Sequence, residues 1–468
     1  MAFNSILNKI FNLFILRRMK GINQFIERPI ETQQRVLFSL LSQAKNTEYG
    51  KLHYFEEIKS YEDFNKQVPI VSYEDFEPFI EKARQGNPDV FWPGKIKHFA
   101  KSSGTTNAKS KFIPISDESL QNCHYKAGKD LLAIYINNHK DSNLFKFKNL
   151  RLGGSAELYE SFGTKFGDLS AILIENLPFW VERTTTPSRE VSLMSEWETK
   201  LKAIVSEVKN KDVGSLTGVP SWMMVLLQRV LKDTGKKSIS EVWPNLEVFF
   251  HGGISFVPYR EQYKQLIGKD IRYYEIYNAS EGFFGIQDRF GSDEMLLMLD
   301  YGIFYEFIPM DTFGTENAKA VSLENVELGK NYAVVITTNG GLWRYLIGDT
   351  IRFTDLKPFR FKISGRTKHY INAFGEELMI DNVETALSKA CQETNAKIMD
   401  YTGAPVYMKD GESGSHEWMI EFSTEPNDFG RFSEIFDETL KSLNSDYEAK
   451  RYNNMTLKPP IIHKARTN

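Results

Sequence analysis

Two short apolar runs constrain the fold more than any other feature of this chain. Leu246-Glu-Val-Phe-Phe250 breaks off into His251-Gly252-Gly253, and Ile271 to Tyr277 breaks off into Asn278-Ala279-Ser280-Glu281-Gly282. Short apolar runs bounded by turn residues suit buried strands. Helical patterns stand beside them: an amphipathic one over 195–209, and an apolar one over Met223–Leu231 fed by the turn Thr217-Gly-Val-Pro-Ser-Trp222. Strand-to-helix alternation of this kind predicts an α/β architecture. In open α/β sheets, ligands bind beyond the carboxyl ends of strands. Gly252, Gly253, Ala279, Ser280 and Glu281 are therefore in the right place to meet a nucleotide.

A second stretch points the same way. In HFAKSSGTTNAKSKFIPIS, residues 98–116, the cluster Ser102, Ser103, Gly104, Thr105 and Thr106 lies between a strand-like run, His98 to Ala100, and a return strand, Lys109 to Ile115. Small residues let a backbone turn its N–H groups inward around an anion, and the hydroxyls add donors. Lys101, Lys109 and Lys111 supply flanking positive charge. The segment is not a P-loop, because no Gly-Lys-Ser/Thr closes it. Small polar residues also make turns for purely local reasons, so its companions must decide.

With 468 residues the chain exceeds one ordinary core, and two or three domains are expected. Its net charge of −3 gives no reason to expect nucleic acid or an anionic membrane as a partner. Cys123 and Cys391 are the only cysteines, so neither a disulfide framework nor a cysteine zinc site is implied. No run of apolar residues is long enough to span a membrane, and the chain reads as cytoplasmic. Near the start, Phe3, Ile6, Leu7, Ile10 and Phe14 recur at helical spacing and predict an amphipathic helix packed on its own domain. Tyr61–Phe64 and Tyr73–Phe76 both read Tyr-Glu-Asp-Phe, placing acids near helix starts.

Beyond the central strands, Met295 to Phe307 reads as a β-hairpin and Tyr332 to Thr338 as a strand, followed by Leu342-Trp-Arg-Tyr-Leu-Ile-Gly-Asp349. Phe361-Lys-Ile-Ser-Gly-Arg-Thr-Lys-His369 carries a Gly-Arg-x-Lys turn, and a small α+β unit follows it. The expected division is a large N-terminal domain, 1–365, and a small mobile C-terminal one, 366–468.

KSSGTTNAKSKFIP, YNASEGFFG, LWRYLIGD and the Gly-Arg-x-Lys turn occur in an order that resembles the acyl-adenylate-forming superfamily. Within it, the chain is similar to the acyl-acid amido synthetases, the auxin- and jasmonate-conjugating Gretchen Hagen enzymes of plants and their bacterial relatives. Trp343 stands where those relatives usually carry tyrosine, and relatives continue beyond the point at which this chain ends. The resemblance implies adenylation of a carboxylic acid by ATP with Mg²⁺, then acyl transfer to the amine of an amino acid. An acyl-CoA ligase shares the first half-reaction, and a non-catalytic nucleotide-binding homologue is the rival from another class.

Adenylation needs no protein nucleophile, so positioning and charge stabilisation carry it. Ser102, Ser103, Gly104, Thr105 and Thr106 would hold phosphates, and Lys109 or Lys111 would offset charge on departing pyrophosphate. Glu281 is the natural Mg²⁺ ligand, since a hard cation prefers carboxylate oxygen. Asp349 is similar to the family aspartate that accepts from both ribose hydroxyls. Gly252 and Gly253 would let adenine lie against backbone, with Tyr277 stacked on it and Ala279 and Ser280 alongside. Arg366 and Lys368 sit at the inferred hinge, within reach of phosphate or ribose. The acid pocket is expected from 120–135, 153–180 and 217–224, with Trp222 and Met223 in its wall. His251 is a further wall residue, while His124 reads as core.

Overall fold

The computed structural model describes residues 2–102, 111–153, 158–367, 370–376, 378–409 and 412–465. Ser103, Gly104, Thr105, Thr106, Lys109 and Lys368 lie outside the described residues.

The twelve-stranded sheet has two characters. Its parallel half comprises β3 (Lys148–Arg151), β6 (Thr185–Thr186), β7 (Val213–Gly218), β8 (Val248–Gly252) and β9 (Arg272–Ala279), in the order β6-β3-β7-β8-β9. The sheet continues antiparallel through β10 (Gly282–Ile286), β11 (Met295–Leu297), β16 (Phe359–Arg366), β15 (Tyr345–Leu356), β14 (Asn331–Thr338), β12 (Ile303–Pro309) and β13 (Val321–Ser322). A separate four-stranded sheet, β2-β1-β5-β4, holds β1 (His98–Ser102), β2 (Lys111–Ile115), β4 (Tyr159–Ser161) and β5 (Thr164–Gly167).

Alternating side chains of the parallel strands enter two cores. Val248, Phe250 and Tyr274 join the core beneath the helix Tyr125–Asn138. Leu150, Leu216 and Phe249 join the one formed with the helices Trp197–Val208, Pro220–Thr234 and Arg260–Ile267. The expected α/β layering is therefore realised. Pro220 opens its helix at a position where no N–H is needed, and Gly235 closes it in the left-handed region at φ 67°.

Both Tyr-Glu-Asp-Phe segments begin helices, Tyr61–Gln67 and Tyr73–Arg84. Each is preceded by a serine that forms a capping box with the aspartate, Ser60 with Asp63 and Ser72 with Asp75.

Two expectations are corrected. Met295–Leu297 and Ile303–Pro309 are not a hairpin, because β11 pairs with β10 and β16 while β12 pairs with β13 and β14. The helix Ala2–Leu16 is present, yet Ile10 and Phe14 face outward, 55% and 64% exposed. Asn8 turns inward instead, its amide donating to the Ser142 carbonyl and its carbonyl accepting from the Phe145 N–H. The inward position is thus held by an asparagine whose amide pairs with the backbone of a buried turn.

The C-terminal unit is a three-stranded sheet, β19 (Lys397–Val406), β20 (Ser415–Thr424) and β21 (Ile461–Lys464), with the helices Ile380–Thr394, Phe429–Leu443 and Ser445–Arg451. The short pair β17 (Tyr370–Ile371) and β18 (Leu378–Met379) precedes it. Between the units, Tyr259 Oη donates to the Ala373 carbonyl at 2.7 Å and Ser221 Oγ to the Phe374 carbonyl at 2.9 Å.

Candidate active site

The YNASEGFFG segment is a tight hairpin. β9 ends at Ala279, β10 begins at Gly282 opposite it, and Ser280 and Glu281 form the turn. No helix follows, so Glu281 is not a helix-dipole acid. Burial raises the Glu281 carboxyl above its usual range, while Lys111 holds it down, Asp349 pushes it up and Arg366 opposes that. A buried carboxylate with two cations and a second carboxylate in its field is the electrostatic centre of the site.

Asp349 is delivered by β15, in register with Arg366 on β16. Arg366 Nε lies 2.7 Å from Asp349 Oδ1, and the Tyr277 hydroxyl donates to Asp349 Oδ2. Three strands separate β9 from β15 in the sheet, so Tyr277 reaches Asp349 only because the sheet curls. The Tyr277 ring packs on Phe284 and Phe361 with centroids 4.9 and 6.0 Å away. Burial and the neighbouring Asp349 charge keep its hydroxyl protonated.

Ser102 closes β1 opposite Lys111 of β2. Lys111 Nζ rests 5.7 Å above the Tyr73 ring, and the Tyr73 hydroxyl accepts from the Phe112 N–H. Gly252 permits a close strand approach, because a Cβ there would stand 2.4 Å from the Ile276 carbonyl oxygen. Gly253 has φ 85°, which favours glycine.

Within LWRYLIGD the residues divide by role. Trp343 is fully buried and donates from Nε1 to the Phe91 carbonyl at 3.0 Å. Arg344 makes a buried two-pronged pair with Glu306, at 2.9 Å from Nε and 2.8 Å from Nη2. It also donates to the carbonyls of Asn65 and Val68, tying the N-terminal helices to the sheet. Tyr345 was not singled out by sequence. Its hydroxyl is buried without a partner among the described residues, in the field of Glu281 and Arg366.

Other expected wall residues fall elsewhere. Met223 is core, with no exposed surface. Trp222 meets Trp197 edge-on at 4.3 Å, and Lys450 of the C-terminal unit sits 3.9 Å over its ring. His251 stacks on Phe256 at 4.2 Å, and burial pushes its pKa down to about 3, so it is neutral. His124 is likewise lowered to about 4 by burial. A cleft of about 750 Å³ opens beside β1 and β2, lined by charges of both signs: Glu74, Glu77 and Glu81 with Arg84 and Lys101.

The GH3 family N-terminal domain matches residues 18–271, the central domain 296–366 and the C-terminal domain 381–468. The chain belongs to the GH3 family. Among curated GH3 proteins, it is 23% identical over 461 residues to the indole-3-acetic acid-amido synthetase GH3.2 of Arabidopsis thaliana, covering 83% of each chain. It is 27% identical over 390 residues to the jasmonoyl–L-amino acid synthetase JAR6 of Nicotiana attenuata, covering 68% of this chain and 66% of that one. The solved GH3.15 acyl acid amido synthetase superposes with TM-score 0.65 at 17% identity, over 96% of this chain and 88% of that one. A 2-hydroxyisobutyryl-CoA ligase superposes with TM-score 0.54 at 14% identity, over 98% and 88%. The fold is thus that of adenylate-forming enzymes. Among the described residues no helix is long and apolar enough to cross a membrane.

Proposed function

We propose that this GH3 protein is an ATP-dependent acyl-acid amido synthetase. The observation that carries the reading is the meeting of Tyr277, Asp349 and Arg366 with Glu281 and Lys111, drawn from separate family motifs into one field. The names of the curated relatives supply the reaction class.

In the first half-reaction a carboxylate oxygen attacks the α-phosphorus of ATP and the bond to pyrophosphate breaks. In the second, the amine of an amino acid attacks the acyl carbon, AMP departs and the nitrogen loses a proton. Asp349 would accept hydrogen bonds from the ribose diol, its carboxylate aimed by the Tyr277 hydroxyl and Arg366. Tyr277 then acts through Asp349, and its packed ring leaves adenine to the Gly252–Gly253 backbone with Ala279 and Ser280 alongside. Ser102 and the segment Ser103–Thr106 would hold phosphates, with Lys109 or Lys111 and, from the hinge, Lys368 offsetting the pyrophosphate charge.

Glu281 fits a magnesium ion, since a buried carboxylate is stabilised by a hard cation that takes its remaining ligands from phosphate and water. The described residues offer no group of three metal-ligating side chains, so such an ion would arrive with the nucleotide. It would supply neutralisation of phosphate charge. The segment 366–468 is proposed as a mobile domain that closes between the half-reactions. Both cysteines are free thiols, consistent with a cytoplasmic location.

The test is pyrophosphate release from ATP and Mg²⁺ with a panel of acids, each alone, with mixed amino acids, and with CoA. An acyl–amino acid product establishes the synthetase. A thioester establishes the ligase instead, and nucleotide binding without release from any acid leaves a non-catalytic homologue.

A further inference from the structure

Arg151 ends β3 on the sheet face that looks toward the helix Tyr125–Asn138. It stands in register with Thr217 of β7, which stands in register with Phe250 of β8 and that with Tyr274 of β9. Residues paired directly across a sheet share a face. Phe250 and Tyr274 pack around Tyr135 of that helix, with ring centroids 5.4 and 5.3 Å away. At the β3–β7 side the same face turns polar. Asn149 Nδ2 donates to Ser215 Oγ at 2.9 Å and to Thr217 Oγ1 at 3.0 Å, and Arg151 follows Asn149 two residues on.

The Arg151 Nε is buried without a hydrogen-bond partner, and the guanidinium makes no ion pair with any described residue. Burial pushes its pKa down to about 10, which leaves it a cation at neutral pH; Tyr125 and Glu182 are the ionisable groups that act on it. The Tyr125 hydroxyl is already committed, donating to the Leu173 carbonyl at 2.9 Å. A largely buried cation with an unbonded Nε, and with Glu182 acting on it only through its field, is costly to keep. An anionic ligand removes that cost.

The reacting carboxylate is too far away to be that anion. If the nucleotide binds at Tyr277, Glu281 and Asp349, the reacting atoms lie at or beyond the end of β9. Three strand spacings, about 14 Å, separate β3 from β9. An extended arginine covers only part of that span. Resting on the amido-synthetase reading, we propose that Arg151 binds a second anionic group at the far end of the acid, so that the substrate is a carboxylic acid carrying another carboxylate or an equivalent anion. The Asn149–Ser215–Thr217 ladder beside it forms a polar floor on the β3–β7 side of that face.

The experiment is ATP–pyrophosphate exchange by the full chain with α,ω-dicarboxylates of rising length, each matched to its monocarboxylate. Wild type is expected to favour a diacid by at least about tenfold in kcat/KM, as expected for a charged hydrogen bond. In Arg151→Gln that ratio collapses toward one through KM rather than kcat, and Arg151→Lys recovers part of it. Arg151→Met, which keeps the bulk of the side chain, separates loss of the anion site from loss of folding. A wild type that favours monoacids, or variants that lose both substrates alike, would overturn the assignment. If no acid supports exchange, the amido-synthetase reading fails separately. Calorimetry with the same diacids then judges Arg151: saturable binding abolished in Arg151→Gln supports it, and no binding overturns it.

Discussion

Asp349 and Arg366 stand opposite each other on β15 and β16, with Arg366 Nε 2.7 Å from Asp349 Oδ1 and the Tyr277 hydroxyl bonded to the other carboxylate oxygen. Both oxygens are thereby oriented before any ligand arrives, each retaining a lone pair for a ribose hydroxyl. Asp349→Asn keeps the shape but loses the charge that the Tyr277 hydroxyl and the Arg366 cation are arranged around. The KM for ATP should rise by about 10- to 100-fold, the worth of one or two hydrogen bonds to a charged acceptor. Exchange kinetics at varied ATP measure it; an unchanged KM would remove Asp349 from the nucleotide site.

Tyr277→Phe isolates the positioning contribution. The ring still packs on Phe284 and Phe361, so thermal stability should move little. The KM for ATP should rise several-fold, less than in Asp349→Asn, because one supporting bond is worth about 1 kcal/mol. Measuring the double variant closes a cycle: effects that fail to add show the two side chains act as one unit.

Much of this site was legible from sequence because its residues follow strands directly. The ends of β8 and β9 were visible as apolar runs meeting glycine and polar residues, and Asp349 as the end of LWRYLIGD. The division of labour inside that motif was not visible. Arg344 stands in the same motif as Asp349, yet Glu306, 38 residues earlier, neutralises it in the core. Long-range pairing of this kind leaves no local trace, and the same limit hid the separation of β11 from β12. The rotation of the helix Ala2–Leu16 escaped for a different reason: hydrophobic periodicity weighs apolar residues and cannot anticipate an asparagine with two buried partners.

Arg344→Met should unfold the protein at lower temperature without acting on the chemistry. It leaves Glu306 buried without its cation, a change that typically costs about 3–5 kcal/mol. Tyr61, which donates to Glu306 at 2.9 Å, compensates only in part. Calorimetry should show the lower transition, while KM for ATP measured well below it stays near wild type. A large KM effect at full folding would assign Arg344 to the site after all.

Asp168 gives the protein a pH signature. Burial, then the charge of Asp446, raises its pKa from 3.8 to about 6, against the pull of Lys450, Lys101 and Lys200. The folded protein therefore holds this proton more tightly than the unfolded chain does. The resulting stability is complete below about pH 4 and is lost as pH rises through about 6. Asp168→Asn should match wild type near pH 4 and be more stable at pH 7. The gain should be on the order of 1 kcal/mol, trimmed because Lys200, already lowered to about 8 by burial, loses a counter-charge. Melting temperatures across pH 4–8 decide it; parallel curves would place Asp168 in water.

The contact between the C-terminal unit and the large one combines a shared apolar cluster with a few polar anchors. Tyr259 and Ser221 donate to the carbonyls of Ala373 and Phe374, and Tyr452 Oη donates to Glu196 at 2.7 Å. The anchored loop is itself fixed by Glu376, whose carboxylate accepts from the Ala373 and Phe374 N–H groups and bonds His416 Nε2 at 2.8 Å. Removing both anchoring hydroxyls, in Tyr259→Phe with Ser221→Ala, leaves two buried carbonyls unpaired. That should cost about 2–4 kcal/mol of docking free energy at about 1–2 each, and less where water replaces them. One apolar cluster runs from the helix Pro220–Thr234 into the C-terminal unit, so hydrogen exchange should quicken first at 372–376 and over that helix, and least over β19 and β20. If closure between half-reactions requires this interface to release, the same variant should alter amide formation more than pyrophosphate exchange. Equal effects on both would confine the interface to stability.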